Sequence, residues 1–228
     1  MRARLHFIVE GQTEETFVNL ILIPHLARFS IWGDARCVMT GRKRGIKFRG
    51  GLSSYARARK DLVLWMKQEQ NPDAFFTTMF DFYALPKNFP GYAMARQQND
   101  PYQRVEELEK ALSQDIQYPR FIPYIQLHEF EALLLSDPQK LDSVFPNHDK
   151  AIKNLVNMVS NFQSPERIDD KKETAPSKRI ILEIPSYEGM KKSAGPIVTE
   201  KIGLPSLRSK CQHFNKWLTQ LEILGASA

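Results

Sequence analysis

LHFIVEGQTEE, Leu5–Glu15, changes character at a single residue. Leu5–Val9 is a short apolar run with β-branched members, the composition of a strand. It stops at Glu10, and Gly11-Gln12 turn the chain. Thr13 then reads as a helix N-cap, with Glu14 and Glu15 in the first turn, where the helix dipole favours acids. Phe17, Leu20, Ile21 and Leu26 continue at helical spacing to about Arg28. The chain therefore opens strand, turn, helix.

The same alternation continues downstream. Ala35–Thr40 reads as a second strand, Gly41–Gly51 as a glycine-flanked basic loop and Leu52–Gln68 as a helix. Ala74–Phe80 is a third strand that stops at Asp81, and Pro86, Pro90 and Gly91 mark a long loop after it. Pro101–Ile116 has Val105, Leu108 and Leu112 on one helical face, Phe121–Leu127 is a fourth strand, and His128–Leu135 begins a helical or turn segment. This order predicts an α/β fold, a parallel sheet with helices on both faces. The remainder is helical in pattern: Gln139–Phe145, Lys150–Val159, Lys178–Glu183, Lys191–Ile202 and Leu207–Leu224. The polar stretch Pro165–Ser177 reads as a candidate mobile surface loop. The expected organisation is an α/β core over residues 1–137 with a helical extension over 138–228 packed on it, one structural unit.

Composition narrows the function classes. Hydrophobic residues make up 42% and charged residues 25% of the 228, so low hydrophobicity gives no ground for disorder. Two cysteines, Cys37 and Cys211, exclude a disulfide-framed scaffold and a Cys-rich zinc module. His213 beside Cys211 is a weak zinc signal without further ligands. No apolar run is long enough to span a bilayer, and the opening turns polar too soon for a signal peptide, so the expectation is a cytoplasmic protein with no membrane partner. The 32 Lys and Arg exceed the 26 Asp and Glu by six, which permits a phosphate-rich partner without requiring one.

Acids stand where strands end. Glu10 follows Leu5–Val9, with Glu14 one helical turn on; Asp81 follows Ala74–Phe80; Glu129 and Glu131 follow Phe121–Leu127. Ligands of open parallel sheets bind outside these carboxyl ends. Converging carboxylates with few histidines suit a hard cation, Mg²⁺ or Mn²⁺, and two such ions clamp both oxygens of a phosphodiester. Each acid alone also fits a structural role: Glu14 and Glu15 as first-turn charges, Asp81 as a turn residue. Glu129 and Glu131 would diverge by about 200° on a helix and share a face on a strand. His128, next to Glu129, reads either as a hydrogen-bonded structural residue or as part of the site.

Arg42, Lys43, Arg44, Lys47 and Arg49 place five cations in eight residues, interrupted by Gly45 and followed by Gly50-Gly51. Such a loop either holds a nucleic-acid backbone, with glycines allowing close approach, or is simply solvated. Phe48, Phe82, Tyr83, Phe89 and Tyr92 either stack on exposed bases or anchor loops. No GxxxxGK[ST] sequence is present, so ATP hydrolysis would come from a partner.

Four blocks carry a family resemblance: VEGQTEE at Val9–Glu15, DFYALP…FPG at Asp81–Gly91, QLHEFEALLLSDP at Gln126–Pro138 and KSAGP…IGLPSLRSKCQHFNKWL at Lys192–Leu218. The first resembles the opening motif of the Toprim fold as found in old-phage-exclusion-type nucleases. Taken together, the four resemble the small bacterial Toprim-like proteins grouped as domain-of-unknown-function family 4276. The resemblance implies a Toprim-like parallel sheet and a metal site. Glu10 and Glu14 match the two acids of the first motif, and Asp81 the first acid of the Asp-x-Asp motif. Tyr83 stands where that motif has its second acid. Glu129 or Glu131 matches the later acid, and Lys191 or Lys192 the lysine near the scissile phosphate. The implied function is a Mg²⁺-dependent phosphodiesterase, a nuclease of a bacterial anti-phage defence or mobile-element system acting on DNA or RNA. A partner ATPase and self-association are compatible with it. The alternative, supported by Tyr83, is a non-catalytic Toprim scaffold that binds nucleic acid or protein within an ATPase complex.

Overall fold

A computed structural model describes residues 3–43, 46–49, 52, 54–168 and 174–226. The chain begins with β1 (Ala3–Val9), α1 (Gln12–Phe17), a π-turn over Val18–Leu22 and α2 (Ile23–Ala27). Next come β2 (Ile31–Cys37), β3 (Met39–Lys43), β4 (Ile46–Arg49), α3 (Tyr55–Gln68) and β5 (Ala74–Asp81). After a short 3-10 turn over Phe82–Ala84 follow α4 (Tyr92–Ala95), α5 (Pro101–Ile116), β6 (Phe121–Ile122) and β7 (Ile125–Gln126). The rest is helical: α6 (Glu131–Leu134), α7 (Asp149–Val159), α8 (Pro176–Glu183), α9 (Tyr187–Ile202), α10 (Leu204–Lys210) and α11 (Gln212–Glu222). The chain divides into two compact units, one of Met1–Gln126 with Thr219–Ala228 and one of Leu127–Leu218.

The first unit is built on a parallel sheet of five strands in the order β2-β1-β5-β6, with β7 also pairing β5, flanked by helices. It is the α/β fold that the strand–turn–helix opening predicts. β1 pairs with β2 from Ala3↔Ile31 to Val9↔Cys37 and with β5 from Arg4↔Ala74 to Val9↔Met79. Every residue of β1 except Arg4 is buried, as expected for a parallel strand covered on both faces.

Several elements depart from the sequence reading. The fourth strand, expected over Phe121–Leu127, is split into β6 and β7: Pro123 between them has no N–H for the ladder. The chain still tracks β5 across the gap, because the Tyr124 N–H donates to Thr78 Oγ1 at 2.9 Å. The first helix is capped at Gly11 rather than Thr13, since the Glu14 carboxylate turns back to accept the Gly11 N–H at 2.8 Å. Its middle widens into the π-turn, which ends two residues before Pro24, a residue that cannot donate to the carbonyl of Leu20. The wider turn shifts the helical face: Val18 and Leu22 are buried, and Leu20, expected on the core side, is exposed. The expected basic loop Gly41–Gly51 contains an antiparallel two-stranded ribbon, β3 paired with β4.

The returning segment belongs to this unit by side-chain and backbone contact. His25 Nε2 lies 2.7 Å from Glu222 Oε1. A Cβ at Gly225 would stand 1.8 Å from the Phe29 carbonyl oxygen, so no other residue fits that crossing. Among the described residues no helix is long and apolar enough to cross a membrane.

One ionisable side chain sits inside the sheet's cover. His6, on β1, is fully buried against Trp65 and Phe76, with ring centroids at 4.8 and 4.9 Å. Its Nδ1 lies 2.5 Å from Asp34 and its Nε2 2.6 Å from Glu69. Carboxylates only accept, so both bonds form together when both ring nitrogens carry protons. Burial pushes the Asp34 carboxyl up, but the His6 bond and charge, with Arg36 and Arg4, outweigh it and hold it below 3.8. Glu69 is held below 4.5 first by the Asn71 N–H, against burial, and then by His6. Lowered carboxyls stabilise the fold above their unfolded values, and that contribution is lost as pH falls through the folded ones. His6→Phe keeps the ring packing and removes both bonds. We expect a cost of about 2 kcal/mol at neutral pH, discounted because Asp34 is half-exposed. The Tm gap to wild type should narrow on acidification below pH 3.8; a gap independent of pH refutes the charged arrangement.

Candidate functional site

The carboxyl edge of the parallel sheet gathers two of the predicted acids. β1 and β5 are neighbours, so the residues that follow them meet. Glu10 is anchored by its own N–H to the Met79 carbonyl at 3.1 Å, and its Oε2 accepts the Asp81 N–H at 3.2 Å. Both side chains are half-buried at the rim. Glu14 lies one turn into the helix but is buried and bonded to Gly11, so its carboxylate fixes the turn that aims Glu10. On the other side of Asp81, β7 contributes Gln126, the Cα partner of Asp81, whose Oε1 accepts from the Tyr124 hydroxyl at 2.7 Å. Tyr83 follows on the 3-10 turn, its ring 5.8 Å from that of Phe82.

The second unit holds the later acids in a different arrangement. Glu131 opens α6 and is buried. Tyr187 and Lys191, four residues apart and so on one face of α9, converge on it: the Tyr187 hydroxyl donates to Oε1 at 3.2 Å and Lys191 Nζ lies 3.5 Å from the same oxygen. Glu129 turns elsewhere, its Oε2 accepting the Ser177 N–H at 2.9 Å in the first turn of α8. The two glutamates thus diverge, but not as a helical pair: Glu129 lies before α6, outside any helix or strand. Lys192 is exposed on α9.

The remaining predicted residues place as follows. Arg42 and Lys43 lie on β3, Lys47 and Arg49 on β4, and Arg44 lies outside the described residues. Phe82 and Phe89 are buried and serve as loop anchors, Phe89 against Tyr55 at 5.0 Å. His128 is buried in a left-handed conformation (φ 62°), with Nε2 3.0 Å from the Glu166 carbonyl.

Sequence reasoning missed Tyr187, Gln126 and Glu166. Tyr187 had a usable signal, its four-residue spacing to Lys191. Gln126 had another, a polar residue closing an apolar strand. Glu166 had none, since it lies in a stretch that reads as a polar surface loop. It is fully buried, and its two carboxylate oxygens accept the His213 and Phe214 N–H groups, each at 3.0 Å, in the first turn of α11. Cys211 beside it is buried, and burial first, then the Glu166 charge, push its thiol well above 9.0, which removes it as a nucleophile or thiolate ligand.

Burial opposes ionisation of Glu131. Burial raises its carboxyl above 4.5; Lys191 opposes this, the neighbouring Glu129 adds to it, and the Tyr187 bond lowers it. A raised carboxyl contributes stability that is complete below the unfolded value and lost as pH rises through the folded one. Glu131→Gln keeps an acceptor for Tyr187 and Lys191 and removes that loss. The variant's Tm relative to wild type should climb as pH rises from 4.5. A flat difference, measured by thermal melts across that window, contradicts the raised value.

No curated protein and no solved structure matches the chain. One family model does, over residues 9–222, a span that runs from the last residue of β1 to the last residue of α11 and includes every acid of both units discussed above. The chain belongs to the DUF4276 family, a domain of unknown function.

Proposed function

We propose that the chain is a divalent-cation-dependent phosphodiesterase acting on nucleic acid through a Toprim-like sheet edge. The observation that carries this reading is the Glu10 carboxylate lying against Asp81 at the carboxyl ends of adjacent parallel strands. Mg²⁺ is typically held by one or two carboxylates plus substrate phosphate oxygens, and the donor set of Glu10 and Asp81 fits that pattern. Among the described residues no three His, Cys, Asp or Glu side chains are grouped to hold an ion, so the substrate itself would complete the coordination. A cation bound there would polarise the phosphate and lower the pKa of the attacking water.

The chain's own residues orient the reaction. Glu10 is fixed at both ends, by its N–H to Met79 and its carboxylate to Asp81. Glu14 stiffens the turn at Gly11. The basic residues Arg42, Lys43, Lys47 and Arg49 supply the positive charge that a nucleic-acid backbone requires. Lys191 is committed to Glu131 within its own unit, which leaves exposed Lys192 as the lysine open to a phosphate there.

Glu10→Gln and Asp81→Asn preserve size and the Asp81 N–H contact while removing one charge each. Both should lower Mg²⁺- or Mn²⁺-dependent cleavage of DNA and RNA by at least ~100-fold with Tm unchanged, since even supporting partners of metal ligands cost 10–100-fold. Equal activity in wild type and variants, or no cleavage of either substrate, sinks the reading. A second reading, a non-catalytic binding subunit, is favoured by Tyr83 in place of an acid and by the engagement of Glu14 with Gly11. Calorimetry decides between them: no Mn²⁺ binding with nucleic-acid affinity retained selects the binding subunit.

A further inference from the structure

β2 ends the sheet on one side: among the described residues it pairs with β1 alone. Its residues, Ile31–Cys37, keep an unbroken register with β1, with no bulge and no proline. Edge strands are usually blunted by such devices, because a row of outward N–H and C=O groups is a template for another strand. The ladder fixes which groups face outward. The Ala3 N–H donates to the Ser30 carbonyl at 3.2 Å, and the Val38 N–H donates to the Val9 carbonyl at 3.0 Å. Even-numbered residues of this segment therefore turn their backbone groups toward β1, and odd-numbered ones turn theirs to the open edge. Gly33 and Ala35 stand in the middle of that edge, and both are partly exposed.

The side chains between them are charged in a particular order. Trp32, Asp34 and Arg36 share one face of β2. Trp32 is 53% exposed, and the Asp34 and Arg36 side chains are both about half-exposed. Asp34 Oδ1 lies 2.5 Å from His6, while its Oδ2 is 3.9 Å from Arg36 Nη2, the outer limit of an ion pair. The Arg36 guanidinium carbon sits over the Trp65 ring, 3.9 Å from its centroid. Stacking uses the face of a guanidinium and leaves N–H groups at its edge for a carboxylate. An acid and a base two residues apart on an edge strand thus both keep bonding capacity for a group outside the chain.

We infer that β2 pairs antiparallel with β2 of a second copy of this chain, about a two-fold axis at Ala35. The position of the axis decides which charges meet. An axis at Asp34 sets two acids opposite each other, and an axis at Arg36 sets two bases opposite each other, both destabilising. An axis at Gly33 sets Asp34 against Trp32 and gains no ion pair. An axis at Ala35 sets each Asp34 opposite Arg36 of the second copy, and each Trp32 opposite Val38. These are the closer, non-hydrogen-bonded pairs, with Cα atoms ~4.5 Å apart. Ala35 and Gly33 meanwhile supply the outward backbone groups, and their small size lets the second backbone approach. The strand complements itself in charge, so a second copy is the occupant, and the interface is isologous. Strands run in opposite directions across such an axis, so the two Glu10 and Asp81 edges open at opposite ends of one continuous sheet. The inference does not depend on the phosphodiesterase reading.

Sedimentation velocity on the full chain across the micromolar range should show a reversible dimer. Ala35→Pro removes an outward N–H at the axis, the kind of edge position where proline is tolerated, and should give a monomer with an unchanged circular dichroism spectrum. Arg36→Glu faces each Asp34 with an acid and should raise the dimer dissociation constant at least ~10-fold. Arg36→Lys keeps the charge and should keep the dimer. Amide exchange at Gly33 and Ala35 should slow as wild-type concentration rises and should not do so in Arg36→Glu. A wild-type chain that stays monomeric throughout overturns the inference, including one whose edge is covered only by a different protein. So does a dimer unaffected by Arg36→Glu, or one that leaves exchange at Gly33 and Ala35 independent of concentration. Where Ala35→Pro does not fold, Arg36→Glu and the exchange measurement decide.

Discussion

β1 is hydrogen-bonded on both sides and buried on both faces, and this double confinement governs where charge appears in the first unit. A strand so enclosed leaves two places for an ionisable group. It can sit inside with full compensation, or stand where the strand ends. His6 takes the first course, held between Asp34 and Glu69 with aromatic rings on its faces. Glu10 takes the second and reaches across to Asp81. The polar rim is thus a consequence of how apolar the middle is. Desolvation makes an unpaired charge within the sheet costly, and the carboxyl edge is the first position where a carboxylate can remain half-hydrated.

The second unit meets the same constraint with two kinds of compensation. Glu166 is fully buried and spends both oxygens on backbone N–H groups at the start of α11, where the helix dipole adds to the bonds. Glu131 is buried too, but its partners are side chains, and its carboxyl is raised. The difference is informative. A carboxylate that caps a helix is locked by the backbone and has a structural role that fully accounts for it. A carboxylate facing a buried tyrosine and a partly exposed lysine depends instead on how the helix that carries both is packed.

Much of this was legible from residues alone. LHFIV followed by EG announces a buried strand and its end, because a β-branched apolar run cannot continue through Glu10-Gly11. Pro101–Ile116 was readable to the residue: Asp100 caps it through the Tyr102 and Gln103 N–H groups, and Pro101 needs no donor at a first helical position. The split of the fourth strand had a visible cause in Pro123. The π-turn did not, since Pro24 alone fits either a kink or a helix start. The ribbon was hidden for another reason. Alternation of apolar and polar residues is the usual signature of a strand, and in Met39–Arg49 cations stand at both odd and even positions, so the pattern reads as a loop. Of the candidate site, Glu10 and Asp81 were predictable because strand ends are. The Glu131 partners depend on how α9 faces α6, which no local signal specifies.

The net charge of +6 takes its meaning from this geometry. Spread evenly, such an excess would serve solubility. Instead, one strand of the sheet leads directly into a ribbon with no acid, and that ribbon starts two residues beyond the Cα partner of Val9. The acids Glu10 and Asp81 occupy the same edge. Glu10 accepts the backbone N–H of Asp81, and Arg42 is the Cα partner of Lys47 in the ribbon. On the reading proposed above, phosphates would meet the cations of the ribbon and a metal would meet the carboxylates of Glu10 and Asp81, so both charged groups at this edge would serve one substrate.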